Sequence, residues 1–289
     1  MRQLAPSELI LNADGSVFHL HVRPEHLSDR IILCGDPDRV SMIAGYFDSV
    51  ECDVQNREFH TITGVYKGKR LMVVSHGIGC DNIDIVINEL DALANIDFST
   101  RTVRSTFRPL TLVRIGTSGG LQPFTPVGSF VAAEKSIGFD GVIFFYKDHE
   151  KVRDLALEQE LIHQLQWNIV GIHPYIVTAD PSLTDQIVRD DIIRGMTIAA
   201  NGFYGPQGRE LRLPLAEPSI NQKIESFHFE NRFITNYEME SSALAALAAL
   251  MGHRALTVCC IIAGRVDKSM NTNYQSALPS LIKKVLDRI

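Results

Sequence analysis

"RIILCGDPDRVSMIAGYF", residues 30 to 47, decides the fold. The run Ile31 to Cys34 is short and apolar, as suits a strand in a largely buried sheet. Gly35 closes it, Asp36-Pro37 is a favourable helix start, and Arg39 stands one turn inside the helical pattern that follows. Similar strand runs begin at residues 70 ("RLMVVSHG"), 110 ("LTLVRIGT"), 129 ("SFVAAEK"), 171 ("GIHPYIVTA"), 196 ("MTIAAN") and 255 ("ALTVCCIIAG"). Helical patterns lie between several of them: "DNIDIVINELDALANI", "EQELIHQLQWNI" and "MESSALAALAALMG", the last stopped by Gly252. Alternating strands and helices imply an α/β sandwich. No linker, low-complexity tract or fixed-period repeat interrupts the pattern, so residues 1–289 are expected to form a single domain.

Charge narrows the partners. A formal net charge of -6 argues against nucleic acid, which needs a basic face. No stretch reaches the ~18 apolar residues of a membrane span, and the start "MRQLAPSELILNADG" lacks a signal-peptide core, so the expected location is cytoplasmic. The five cysteines show no metal-binding or redox spacing, and Cys259 and Cys260 read as small packing groups on opposite faces of a strand.

In such folds ligands gather beyond the carboxyl ends of strands. Four unusual clusters fall at strand exits: Gly35 to Arg39, Thr117 to Gly120, Phe203 to Arg209, and Glu238 to Glu240. The first two suit a small oxyanion. Arg39 and Arg114 are permanently charged forks, and Thr117, Ser118 and the glycines offer hydroxyls and approachable backbone N–H groups. Neither matches a nucleoside-triphosphate or dinucleotide loop, so free phosphate fits better. Taken singly these are weak signals, because Gly-Asp-Pro is ordinary turn chemistry. Glu240 is equally ordinary alone, since a helix dipole favours a glutamate in its first turn.

The order "VFHL" (17–20), "GDPDRV" (35–40), "NREF" (56–59), "SHGIG" (75–79), "RIGTSGG" (114–120), "FYGPQGR" (203–209) and "NYEMES" (236–241) resembles the nucleoside phosphorylase family, in its uridine phosphorylase branch. The resemblance spans nearly the whole chain and implies a three-layer α/β/α sandwich around a mixed sheet. It implies phosphorolysis of uridine by inorganic phosphate, a co-substrate, to uracil and ribose 1-phosphate, with no cofactor and no catalytic metal. By the same resemblance Gly35, Arg39, Arg114 and Thr117 hold phosphate, and Arg57 joins them from a neighbouring subunit. His19, across the same interface, and Met239 and Glu240 hold ribose, while Phe203, Gln207 and Arg209 bind uracil. Arg39, Arg114, Arg209 and Glu240 are the residues to which catalysis is assigned. Gln207 and Arg209 match an imide edge: an amide that both donates and accepts, and a cation for the charge that builds on the leaving base.

A homo-oligomer with shared sites follows, and a hexamer is the assembly suggested. Glu58, Ile78 and Asn82 resemble an interfacial monovalent-cation site, although Asn82 replaces an expected serine. Purine-cleaving relatives use an aspartate just after the last long strand; "IIAGRV" has none before Asp267, and Arg265 is placed to support Arg209. Gly205-Pro206 inverts the bacterial order, and residues 95–111 read as a solvated insertion. The alternatives are a related phosphorylase or nucleosidase of other base range, or a silent nucleoside-binding protein on the same fold.

Overall fold

The structure, a computed structural model, describes residues 2–264 and 276–289. The elements run β1 (Arg30–Cys34), α1 (Pro37–Ala44), β2 (Ser49–Asn56), β3 (Phe59–Tyr66), β4 (Lys69–Ser75), α2 (Cys80–Asn95), β5 (Ile96–Asp97), β6 (Thr102–Val103), β7 (Thr111–Gly120) and β8 (Phe130–Gly138). They continue with α3 (Leu155–Leu165), β9 (Tyr175–Thr178), α4 (Pro181–Ile187), β10 (Ile193–Ala199), α5 (Ile220–Ser226), β11 (His228–Phe229), β12 (Arg232–Glu238), α6 (Ser241–Met251), β13 (Arg254–Gly264) and α7 (Leu278–Arg288).

The strands form a mixed sheet in the order β11-β12-β10-β8-β13-β7-β1-β4-β3-β2. Along β1 the side chains divide by alternation: Ile32 and Cys34 pack with α1, α4 and α7, while Ile31 and Leu33 pack with α2 and α6. Helices therefore cover both faces, as the strand-helix alternation predicts. At one end the sheet also curls until Asn236 and Tyr237 of β12 pair antiparallel with Gly120 and Gly119 of β7. That closure corrects one expectation. Thr117 to Gly120, expected just beyond a strand exit, are the last residues of β7, paired with β13 up to Gly120↔Gly264.

Local signals account for the helix ends. Asp36 caps α1 by accepting from the Asp38 N–H at 3.0 Å, and Pro37 occupies the first turn. Gly252, at φ 82°, ends α6 in the left-handed conformation. Residues 95–111 are more than a solvated loop. Arg101 donates to the carbonyls of Leu4 at 2.9 Å and Ala5 at 3.1 Å, and Gln3 bridges to Thr102, so the insertion holds the N-terminal arm.

Candidate active site

A cavity of about 1040 Å³ opens where β1, β7, β12 and β13 end and the loop after β10 folds over. Gly35, Arg39, Arg114, Thr117, Phe203, Gln207, Arg209, Met239 and Glu240 all line it. Chain-distant residues meet here because β1, β7 and β13 run parallel and point their carboxyl ends the same way, while β12, parallel to β10, brings its own end to β7 by antiparallel pairing.

Arg114 is the centre of the polar wall. Its Nη1 donates to Glu238 Oε2 at 2.9 Å, its Nη2 pairs with Glu240 Oε2, and its Nε donates to His76 Nε2 at 3.0 Å. Gly116 makes room for this, since a Cβ there would stand 2.6 Å from Nη1. The guanidinium is buried, yet its pKa is raised, because Glu240 and then Glu238 outweigh the desolvation. Arg39, also buried, donates from Nη1 to the Ile115 carbonyl at 3.3 Å and borders the same end of the cavity.

The two glutamates divide the work. Glu238 Oε1 accepts from the Ser241 hydroxyl at 2.7 Å and N–H at 3.0 Å, and Oε2 from the Glu240 N–H at 2.9 Å, so it caps α6. Glu240 Oε1 accepts from the Gly79 N–H at 2.7 Å, where α2 begins. Burial pushes the Glu240 carboxyl up, against the pull of Arg114. Behind them Ser242 donates to Asp140 at 2.7 Å, and Cys80 Sγ contacts the Met239 carbonyl at 3.2 Å.

The loop that carries Phe203, Gln207 and Arg209 starts after β10. Gly205–Gln207 is a 3-10 turn ended by Gly208 at φ 65°, and a Cβ on Gly208 would stand 2.3 Å from the Asn221 amide nitrogen. Gln207 is buried, and its Oε1 accepts from Arg209 Nη1 at 2.6 Å. Arg209 lies over the half-exposed ring of Phe203.

The two residues expected to cross from a neighbouring subunit lie elsewhere in this chain. His19 and Arg57 do not line the cavity. They share a surface instead: His19 is held by Glu89 at 2.7 Å, its carbonyl accepts from Asn56 at 2.7 Å, and Arg57 lies 5.6 Å from the Phe18 ring centroid. Glu58, Ile78 and Asn82 meet on the cavity rim, but Asn82 turns its amide nitrogen to Glu58 at 3.5 Å. No step is routed through a cation there. Among the described residues no group of three His, Cys, Asp or Glu is placed to hold a metal, and no helix is long and apolar enough to cross a membrane. Arg265 and Asp267 lie outside the described residues.

Sequence reasoning missed His76 and the capping role of Glu238. The signal for His76 was a polar residue directly after the apolar run of β4, level with Gly35 after β1. Cys260 packs in the apolar layer as expected, whereas Cys259 faces Arg114 at 3.8 Å, its thiol pushed up to about 12 by burial.

The cavity of this α/β fold joins a wall of buried arginines and glutamates to a wall carrying Phe203, Gln207 and Arg209. The phosphorylase superfamily model matches residues 29–286, and the chain belongs to that superfamily. It is 28% identical over 261 residues to the uridine phosphorylase of Thermococcus kodakarensis, covering 88% of this chain and 79% of the relative. It is likewise 28% identical over 245 residues to a DeoD-type purine nucleoside phosphorylase of Roseobacter denitrificans, covering 80% and 99%. A crystal structure of a Trypanosoma brucei nucleoside phosphorylase, described as showing uridine phosphorylase activity, superposes with a TM-score of 0.89 at 29% identity, covering 97% and 98%.

Proposed function

We propose that the chain is a nucleoside phosphorylase that cleaves uridine with inorganic phosphate to give uracil and ribose 1-phosphate. One observation carries the reading. Arg39, Arg114 and Thr117 share a single cavity with Met239 and Glu240 and with Phe203, Gln207 and Arg209. An anion, a sugar and a planar base therefore have neighbouring partners of matching chemistry.

In this reading a phosphate oxygen attacks the anomeric carbon as the bond from that carbon to the base nitrogen breaks. The electron pair of that bond leaves with uracil, and the sugar passes through an oxocarbenium-like state. Arg39 and Arg114 hold the nucleophile, so that a two-body encounter becomes an oriented step. Glu240 accepts from ribose hydroxyls, with Met239 against the sugar. Arg209 donates to the departing base and stabilises its negative charge, while Gln207 pairs with the imide edge. His19 and Arg57, which share a surface away from the chain's own cavity, serve the site of a second copy in a homo-oligomer.

The purine-cleaving relative at 28% identity favours a second reading, a phosphorylase of broader base range. Ultraviolet absorbance of uridine, thymidine and inosine, with and without phosphate, separates the two. Phosphate-dependent cleavage of uridine but not inosine is expected; equal turnover of inosine supports the broader range, and cleavage without phosphate overturns both.

A further inference from the structure

His76 follows β4, and its backbone N–H donates to the Cys34 carbonyl at 2.8 Å, which continues the β1–β4 pairing by one residue. The ring comes beside β1, its Cε1 3.7 Å from where a Cβ on Gly35 would stand. From there Nε2 accepts from Arg114 Nε at 3.0 Å. The side chain is completely buried and does not line the cavity, so it acts on a ligand only through Arg114.

We propose that His76 is a positioning residue for phosphate binding: a neutral acceptor that fixes the plane of the Arg114 guanidinium without taking up its charge. The inference rests on the phosphate-dependent reading of this site. An arginine side chain has five N–H groups. Nε goes to His76, Nη1 to Glu238 and Cys259, and one Nη2 hydrogen to Glu240. Among the described residues the second Nη2 hydrogen is left for an oxyanion in the cavity, and its direction depends on the plane that His76 sets.

The chemistry of the acceptor matters as much as its position. Glu238 and Glu240 already place two carboxylates on Arg114. A third would leave the arginine with little attraction for phosphate, whereas an imidazole supplies a lone pair and no charge. With Nε2 accepting, the proton sits on Nδ1. Burial first, then the positive charges of Arg114 and Arg39, hold the imidazole well below its ordinary range and keep it in that neutral form.

The test is a double-mutant cycle read by calorimetric titration with inorganic phosphate, alongside KM and kcat for phosphate. His76→Leu should weaken phosphate binding about tenfold, as loss of a hydrogen bond to a charged group does. His76→Gln, which keeps a neutral acceptor, should stay within about threefold of wild type. In an Arg114→Ala background, His76→Leu should change phosphate binding less than about twofold, because its target is gone. If His76→Leu does not fold by circular dichroism, His76→Met supplies a side chain of similar length with only a weak acceptor. Equal losses in the two backgrounds, or a glutamine variant no better than leucine, overturn the proposal. Failure to cleave uridine while phosphate still binds would instead overturn the base assignment alone.

Discussion

The guanidinium carbon of Arg209 lies 3.8 Å from the centroid of the Phe203 ring, so the cation and the aromatic face of the base-side loop are already in contact. The pair presents one surface that is flat and charged at its edge. In the proposed reading, a base stacked there meets both the ring and the positive group that stabilises its departure. Phe203→Ala should raise KM for uridine about tenfold, the usual worth of base–aromatic stacking. KM for phosphate should not move. Steady-state kinetics with each substrate varied in turn checks this, and an equal rise in both would mean that Phe203 supports the whole cavity instead.

Gly116 predicts a clean loss of catalysis without loss of fold. A methyl there would stand 2.6 Å from Arg114 Nη1 and 2.9 Å from Cys259 Sγ, in a place where the arginine is pinned on three sides. Gly116→Ala should lower kcat/KM about 100-fold, as small displacements of a positioning group do. Its thermal melt should remain cooperative. Wild-type activity would show that Arg114 is free to move.

Glu238 is both the partner of Arg114 and the cap of α6, so its removal should register as instability. Breaking one side of a buried ion pair costs about 3–5 kcal/mol. Glu238→Ala should lose stability on that scale in urea denaturation, and Glu238→Gln, which still accepts from the helix N-terminus, should lose less. Equal and small losses would reduce the cap to a bystander.

Acid sensitivity should have a local source at the chain's end. Hydrogen bonds from Arg288, then Lys284, hold the Asp191 carboxyl well below its ordinary value of 3.8. A depressed carboxyl stabilises the fold above its unfolded pKa, and that contribution is lost as pH falls through the folded value. Wild type should therefore lose more stability than Asp191→Asn between pH 5 and about pH 2. Denaturation at both pH values tests the sign; parallel curves would remove Asp191 from the account.

Much of this architecture is written in local signals. The strand at Arg30–Cys34, the Asp36-Pro37 helix start and the Gly252 stop each rest on a few adjacent residues, and each stands as read. The four clusters also meet, because β1 and β7 end side by side and the antiparallel pairing of β12 with β7 turns the ends of β12 and its neighbour β10 toward them. What was not legible depends on partners far away in sequence. β2 gave no strand signal because five of its eight residues are exposed and none is buried, and β3, though buried, breaks its apolar run with His60, Thr61, Thr63 and Gly64. Thr117 to Gly120 look like a loop for their glycines, and only pairing with β13 and β12 makes them strand. Glycine serves there because Gly116 and Gly120 sit against a side chain and a backbone that leave no room for a Cβ. Glu238 and His76 lie inside the quoted motifs "NYEMES" and "SHGIG", but the motifs do not say what each does; that comes from which atoms of Arg114 they meet.

The pairing of β12 with β7 at Asn236↔Gly120 and Tyr237↔Gly119 has a consequence for how such an enzyme can diversify. One strand leads to Glu238, Met239 and Glu240, and the other carries Arg114 and Thr117. Main-chain hydrogen bonds thus act as a ruler between the proposed sugar and phosphate partners, one that tolerates side-chain replacement except where Gly120 leaves no room for a Cβ. The segment Phe203 to Arg209 hangs outside that ruler. In the proposed reading, substitutions in it exchange one base for another while the spacing between the sugar and phosphate partners is inherited unchanged.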